Sequence, residues 1–349
     1  MGPSPRGDQG DRRRAVALPE FAPRRPSQDS LRAEEQARAV TAFAPADLVT
    51  SWVVSPFGTG LALFLTVSYA AGLVALRRSG EAVPVLRSLA YYVVGVGSLV
   101  LATDGGLAAS RGTSFVAAAA QSAVLAAVTP VGIALGDPVG LARRALGAGR
   151  TRGLDRLLGS RGARVVMFPL LASVVATALH LLLFTTPWLA GSVSHGWLRE
   201  ATYAVLLVSG LVFVLPLLTE ELVPAWCTAG VLVLIAFVDG LLDAVPGVVV
   251  MASPALLGAP VATFLAAQDA LWQQRLGGGA MFGVAEVVGL PLLAATVLAW
   301  VRSDAREAAI VDARLDREAR ERQGDDGAPD GVRDRPWWET DPRFTRRSP

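Results

Sequence analysis

The sequence predicts an all-α fold, a polytopic bundle of about seven transmembrane helices, and three observations predict it. Hydrophobic residues make up 52% of the 349 positions and charged residues only 18%, where a soluble protein carries about 25% charge. The charge is also segregated: more than half of the 32 basic and 30 acidic residues fall in two tails, 1–47 and 303–349. Between the tails, residues 48–302 contain recurring apolar runs of about 20 residues, long enough to cross roughly 30 Å of hydrocarbon. Lipid offers backbone groups no hydrogen-bond partner, so such runs must be helices that satisfy themselves.

The elements follow in order. Residues 1–47 are rich in Pro, Arg and acids and lack an apolar core with a small-residue cleavage site. They read as a disordered tail with no secretory signal. Predicted spans cover 56–76, 84–103, 114–136, 165–186, 201–219, 227–250 and 280–301. Residues 251–272 are apolar enough to dip into the interface or form an eighth span. Ser303 to Gln323 reads as a solvated helix continuing from the last span. There Asp316 with Arg320 and Glu318 with Arg322 have the favourable acid-first spacing.

Arginine sets the direction. Arg77, Arg78 and Arg87 follow the first span, and Arg143, Arg144, Arg150, Arg152, Arg156, Arg161 and Arg164 follow the third. The alternate connections hold only Arg111, Arg199 and Arg275. The positive-inside rule then places the Arg-rich loops and the C-terminus in the cytoplasm and the N-terminus outside. The 219–226 connection, with Glu220 and Glu221 and no Arg, and the arginines of the N-terminal tail run against this orientation. Trp52, Trp188, Trp197 and Trp272 mark one boundary, and Tyr91, Tyr92, Trp226 and Trp300 the other.

Composition also limits the chemistry. A net charge of +2, with Arg spread through loops and tails, gives no nucleic-acid surface. A single cysteine closes no intramolecular disulfide, and Cys227, at one end of the sixth span, reads as a buried apolar residue. No phosphate-cradling loop, zinc-protease pattern or nucleophile elbow is present, so no enzyme is expected.

Ionisable residues within the spans are the functional candidates, because each is costly in lipid. They are His180, Asp239, Asp243 and Glu286. Asp239 and Asp243, four apart, share a helical face. With Glu286 they suit a proton- or cation-coupled transporter. His180 with Met281 and Met251 offers imidazole and thioether donors of the kind copper takes. The competing reading is that these groups satisfy one another as inter-helix glue. His195, between Trp188 and Trp197, reads as a solvated loop histidine. Gly279 and Gly283 form a small-xxx-small pair that predicts a close helix approach, and Pro130, Pro169, Pro216 and Pro246 are candidate kinks.

The order of segments over residues 44–320 resembles the multi-span CtaG-type cytochrome c oxidase assembly factors. The resemblance rests on Thr50-Ser51-Trp52, Tyr69 and Gly72, Gly106-Leu107, and Pro130 leading to Leu135-Gly136-Asp137-Pro138 with an Arg-bearing amphipathic loop. It continues through His180, Pro216 and the Gln274, Gly278, Met281 stretch. The tail, with Asp312-Ala313-Arg314-Leu315-Asp316 and Trp337-Trp338-Glu339, is similar to actinobacterial members. The resemblance implies a seven-helix cell-membrane protein concerned with copper delivery to, or assembly of, haem–copper oxidases. Its partners would be the lipid bilayer and oxidase subunits or other assembly factors.

The departures are specific. Histidines four apart are expected early in the third span, where Ala118 and Ser122 stand with Gln121 kept. A second pair is expected where Leu198 and Thr202 stand, and Gln273-Gln274 replaces Asp-Gln. Of the intramembrane histidines only His180 remains. The resemblance therefore implies a degenerate metal site, with copper retention doubtful.

Overall fold

A computed structural model describes Gly2, residues 46–147, 149, 151–153, 156, 160–166, 168–218, 229–258 and 269–326. Both predicted tail ends, the connection with Glu220, Glu221, Trp226 and Cys227, and much of 251–272 lie outside these residues.

Helix α1, Pro56–Arg78, starts where its sequence demands. Ser55 is extended, its hydroxyl accepts the Gly58 N–H at 3.0 Å, and Pro56 supplies the pre-set first residue. Helix α2, residues 85–103, runs through a π-helical stretch at Ala90–Val96. That wider turn carries Tyr91 and Tyr92, which pack on Tyr69 of α1. The Tyr69 and Tyr91 rings stack at 3.8 Å, and Tyr92 meets Tyr69 edge-on at 5.6 Å.

Helix α3, residues 115–135, is the buried centre of the bundle and contains a second π-helical stretch at Val124–Val128. Pro130 has no N–H to donate within α3. Here Gly210 of helix α7, Gly196–Leu218, comes so close that a Cβ would stand 2.0 Å from the Ala126 carbonyl oxygen. Asp137, in the left-handed region at φ 48°, turns the chain into the amphipathic helix α4, Pro138–Leu146. Tyr69 secures that turn by donating its hydroxyl to the Gly136 carbonyl at 2.9 Å.

Helix α5, Pro169–Thr185, and helix α6, Trp188–Ser194, meet at a 71° bend. Pro169 opens α5 rather than kinking it. Helix α7, Gly196–Leu218, helix α8, Ala229–Ala252, and helix α9, Ala270–Asp326, complete the described chain. Among the described residues, six helices are long and apolar enough to span a membrane, or seven if the bent α5–α6 pair is one span. The fold is thus the predicted α-helical membrane bundle, and among the described residues there is no strand. Helix α9, at 57 residues, is about 86 Å long, so one helix holds both the last span and the charged stretch after it.

Helices α8 and α9 pack closely because Gly247 faces Gly278. A Cβ on Gly278 would stand 2.6 Å from the Gly247 carbonyl oxygen and from the Met251 nitrogen. Gly277 similarly meets Phe115 of α3. The predicted pair, Gly279 and Gly283, faces open space instead. The approach is made by the glycines on the adjacent face.

Candidate functional site

A cavity of about 60 Å³ lies among α3, α5, α7, α8 and α9. Its polar lining comes from His180 and Thr177 of α5 and Asp239 and Asp243 of α8, and α9 adds Met281. The four-residue spacing turns both aspartates to this cavity, and the three-residue spacing does the same for Thr177 and His180. These four polar groups in an otherwise apolar wall, and this volume, leave room for water, which needs about 10–15 Å³ of such space per molecule.

Each polar group has a distinct setting. Asp239 is buried, and its carboxylate accepts the Ser173 hydroxyl across the α5–α8 contact. The same hydroxyl lies 3.0 Å from the Pro169 carbonyl oxygen, so a single proton serves two acceptors. Thr177 donates to the Leu242 carbonyl at 3.3 Å. The His180 ring faces backbone carbonyls of Ala176, 3.0 Å from Nδ1, and Ser122. Asp243 is half-buried and has no hydrogen-bond or ion-pair partner among the described residues. No arginine lines the cavity.

Not every candidate gathers here. Glu286 lies five residues beyond Met281, roughly 140° round the helix, and does not line the cavity. Met251, 40% exposed near the end of α8, is also outside it. His195 is exposed, with Nδ1 3.2 Å from the Gly191 carbonyl oxygen. Among the described residues no three His, Cys, Asp or Glu side chains are placed to hold a metal ion together.

The positions where the resemblance expects histidines carry other interactions. Ala118 is buried in the core, and the Ser122 hydroxyl donates to the Ala119 carbonyl at 2.8 Å. Thr202 donates to the Leu198 carbonyl at 2.7 Å and accepts the Trp188 indole N–H at 2.9 Å. Gln274 fastens the chain after α8, accepting from the Leu257 N–H and donating to the Val250 and Ala255 carbonyls. Gln273 Oε1 is buried without a partner.

The same end of the bundle holds a polar network that sequence reading passes over. Asp104, after α2, accepts the Ser55 N–H at 2.8 Å and the Thr59 and Thr103 hydroxyls at 2.6 and 2.7 Å. The Ser55 hydroxyl donates in turn to Glu200 at 2.5 Å. Gln121 donates to the Ala102 carbonyl and to the Tyr203 hydroxyl. Arg111 is buried, donates to the Ser192 carbonyl and hydroxyl, and lies 5.4 Å over the Tyr203 ring. Burial pulls the Arg111 guanidinium below its ordinary value, and Tyr203 partly offsets this. One sequence signal for it exists: Arg111 sits in the short 104–113 connection between the predicted spans 84–103 and 114–136, which leaves it little reach into water.

Residues 67–303 match the family model described as cytochrome c oxidase caa3 assembly factor, Caa3_CtaG. Two mycobacterial relatives, "uncharacterized protein Mb0105" of Mycobacterium bovis and "uncharacterized protein MT0111" of Mycobacterium tuberculosis, are each 29% identical over 284 residues. The alignment covers 78% of this chain and 42% of each relative, so the chain spans less than half of their length. No solved structure matches.

Proposed function

The chain belongs to the cytochrome c oxidase caa3 assembly factor family, and from that premise we propose that it serves oxidase assembly as a membrane scaffold. In this reading it contacts an oxidase subunit or another assembly factor, its metal site is degenerate, and its role is non-catalytic. The Arg-bearing ends of its spans and its C-terminus face the cytoplasm.

The observation that carries the scaffold reading is the state of the expected ligand positions. Ser122 and Thr202 spend their hydroxyl protons on their own helices, and Ala118 and Leu198 have no donor atom. Copper takes imidazole and soft sulfur, and the cavity keeps one of each, His180 and Met281, beside two hard carboxylates. This set does not fit copper. Metal analysis of the purified full-length protein tests the point, and stoichiometric, tightly held copper overturns it. Deletion of the gene, read by oxidase activity and haem spectra with and without added copper, tests the role. A defect that copper does not rescue supports scaffolding, a copper-rescued defect supports metal delivery, and normal oxidase removes both.

A second reading, proton- or cation-coupled transport, is favoured by one observation: Asp239 and Asp243 face one cavity with His180 and without an arginine to neutralise them. Replacing Asp239 and Asp243 with Asn and Glu286 with Gln abolishes function under that reading and leaves oxidase assembly intact under the scaffold reading.

A further inference from the structure

Arginines from three helices gather at one end of the bundle. Arg77 and Arg78 form the last turn of α1, Arg87 lies at the start of α2, and α4 carries Arg143 and Arg144. Helix α4 is pinned to α1 because Leu141, 2% exposed, packs on Gly72. Arg77 and Arg78 then lie ~8–9 Å further along α1 than that contact. Asp137 organises the group: it caps α4 and pairs with Arg87 at 3.2 Å and Arg144 at 4.0 Å. One carboxylate thus holds two guanidinium groups from different helices near each other. Arg77 and Arg78 are exposed and have no hydrogen-bond or ion-pair partner among the described residues. Glu81, in the turn after them, is the other acid nearby in the chain.

Exposed apolar side chains border this charge. Val85, Leu86 and Leu89 flank Arg87 at 74%, 79% and 56% exposure, and Leu146 ends α4 at 51%. A cationic group beside bare apolar residues at the end of a span matches the boundary between acyl chains and headgroups.

We propose that this end of the protein binds an anionic phospholipid through its headgroup phosphate. The guanidinium fork pairs with phosphate oxygens in two parallel hydrogen bonds. The flanking Val and Leu side chains meet the acyl chains, which free phosphate does not have. Basic groups at membrane-facing helix ends bind anionic headgroups for these reasons. The site goes beyond the assembly role and does not depend on it.

The test is native mass spectrometry of the full-length, detergent-purified protein with equal amounts of phosphatidylglycerol or phosphatidylcholine added. Phosphatidylglycerol adducts are expected to exceed phosphatidylcholine adducts several-fold. The Arg77→Gln/Arg78→Gln variant, which removes no hydrogen bond or ion pair among the described residues, is expected to lose up to about fivefold of that preference per arginine. Arg144→Gln tests the α4 side independently. The control Arg317→Gln/Arg320→Gln removes the same charge from the exposed part of α9 and is expected to keep the preference. Equal adducts of the two lipids overturn the proposal, as does an equal loss in the control. Displacement of the lipid by matched inorganic phosphate overturns it in favour of a free-phosphate site.

Discussion

The Trp188 indole donates to the Thr202 hydroxyl at 2.9 Å, joining the start of α6 to the first turns of α7 across their connection. Thr202 occupies a position where the family resemblance expects a histidine. Thr202→Val keeps the shape but leaves the indole N–H without an acceptor. An orphaned donor of this kind costs about 1–3 kcal/mol. Denaturant unfolding of the purified protein should show that loss, and an unchanged midpoint would mean the hydrogen bond contributes nothing.

Restoring histidines tests the proposed loss of the metal site from the opposite direction. Positions 118 and 122 are one turn apart on α3, and the Ser122 carbonyl already faces the His180 ring. Ala118→His with Ser122→His should therefore bring imidazoles toward His180 and raise copper binding above that of the parent. Copper per chain after dialysis is the readout. No gain in a folded double variant sinks the assignment of those positions.

Asp104 ties the α2–α3 connection to the start of α1. Its carboxylate accepts one backbone and two hydroxyl donors from Ser55, Thr59 and Thr103, so Asp104→Ala strands the buried Ser55 N–H and removes the Thr59 acceptor, while Thr103 keeps the Leu99 carbonyl at 2.8 Å. The expected cost is ~3 kcal/mol or more, because hydrogen bonds to charged groups contribute about 1.5–3 kcal/mol each. Asp104→Asn retains an acceptor oxygen and should lose markedly less. Equal losses for Ala and Asn would mean that packing, not the acceptor, matters at this site.

What the sequence discloses and what it withholds divide along physical lines. A span is a property of one run of residues, so length and apolarity locate it. The shared cavity face of Asp239 and Asp243 likewise follows from their spacing of four. The separation of Glu286 from Met281 also follows from helical periodicity, since five residues leave them on different faces. Pairing between helices does not follow. Ser55 and Glu200 are 145 positions apart, and nothing local to either names the other. The glycine contact shows the same limit, because Gly279 and Gly283 have the motif spacing while Gly277 and Gly278 make the contacts. Which helix face turns inward is decided by all the neighbours together.

Arg111 presents a buried cation whose nearest compensation is a serine and an aromatic face. Its planar fork reaches the Ser192 carbonyl and hydroxyl at once, which a lysine ammonium does not reproduce. Arg111→Lys therefore keeps the desolvation cost and loses one of the two bonds, whereas Arg111→Met removes charge and cost together. The expected order of thermal stability is Arg, then Met, then Lys. A lysine variant as stable as the parent would show that charge alone is recognised there.

The contact between α8 and α9 gives the sharpest contrast between neighbouring positions. Gly278 meets backbone on the opposite helix, and backbone has no rotamer with which to yield. Gly278→Ala must separate the two helices that carry Asp239, Asp243 and Met281, opening the cavity as well as the interface. Overpacking of this kind costs typically 1–3 kcal/mol, and the rigid partner puts this site at the upper end. Gly279→Ala, one residue on, adds a methyl to open space and improves helix propensity, so it should be neutral or slightly stabilising. Thermal unfolding of the two variants side by side decides the matter. Equal behaviour would show that the Gly247–Gly278 approach does not set the packing of α8 on α9.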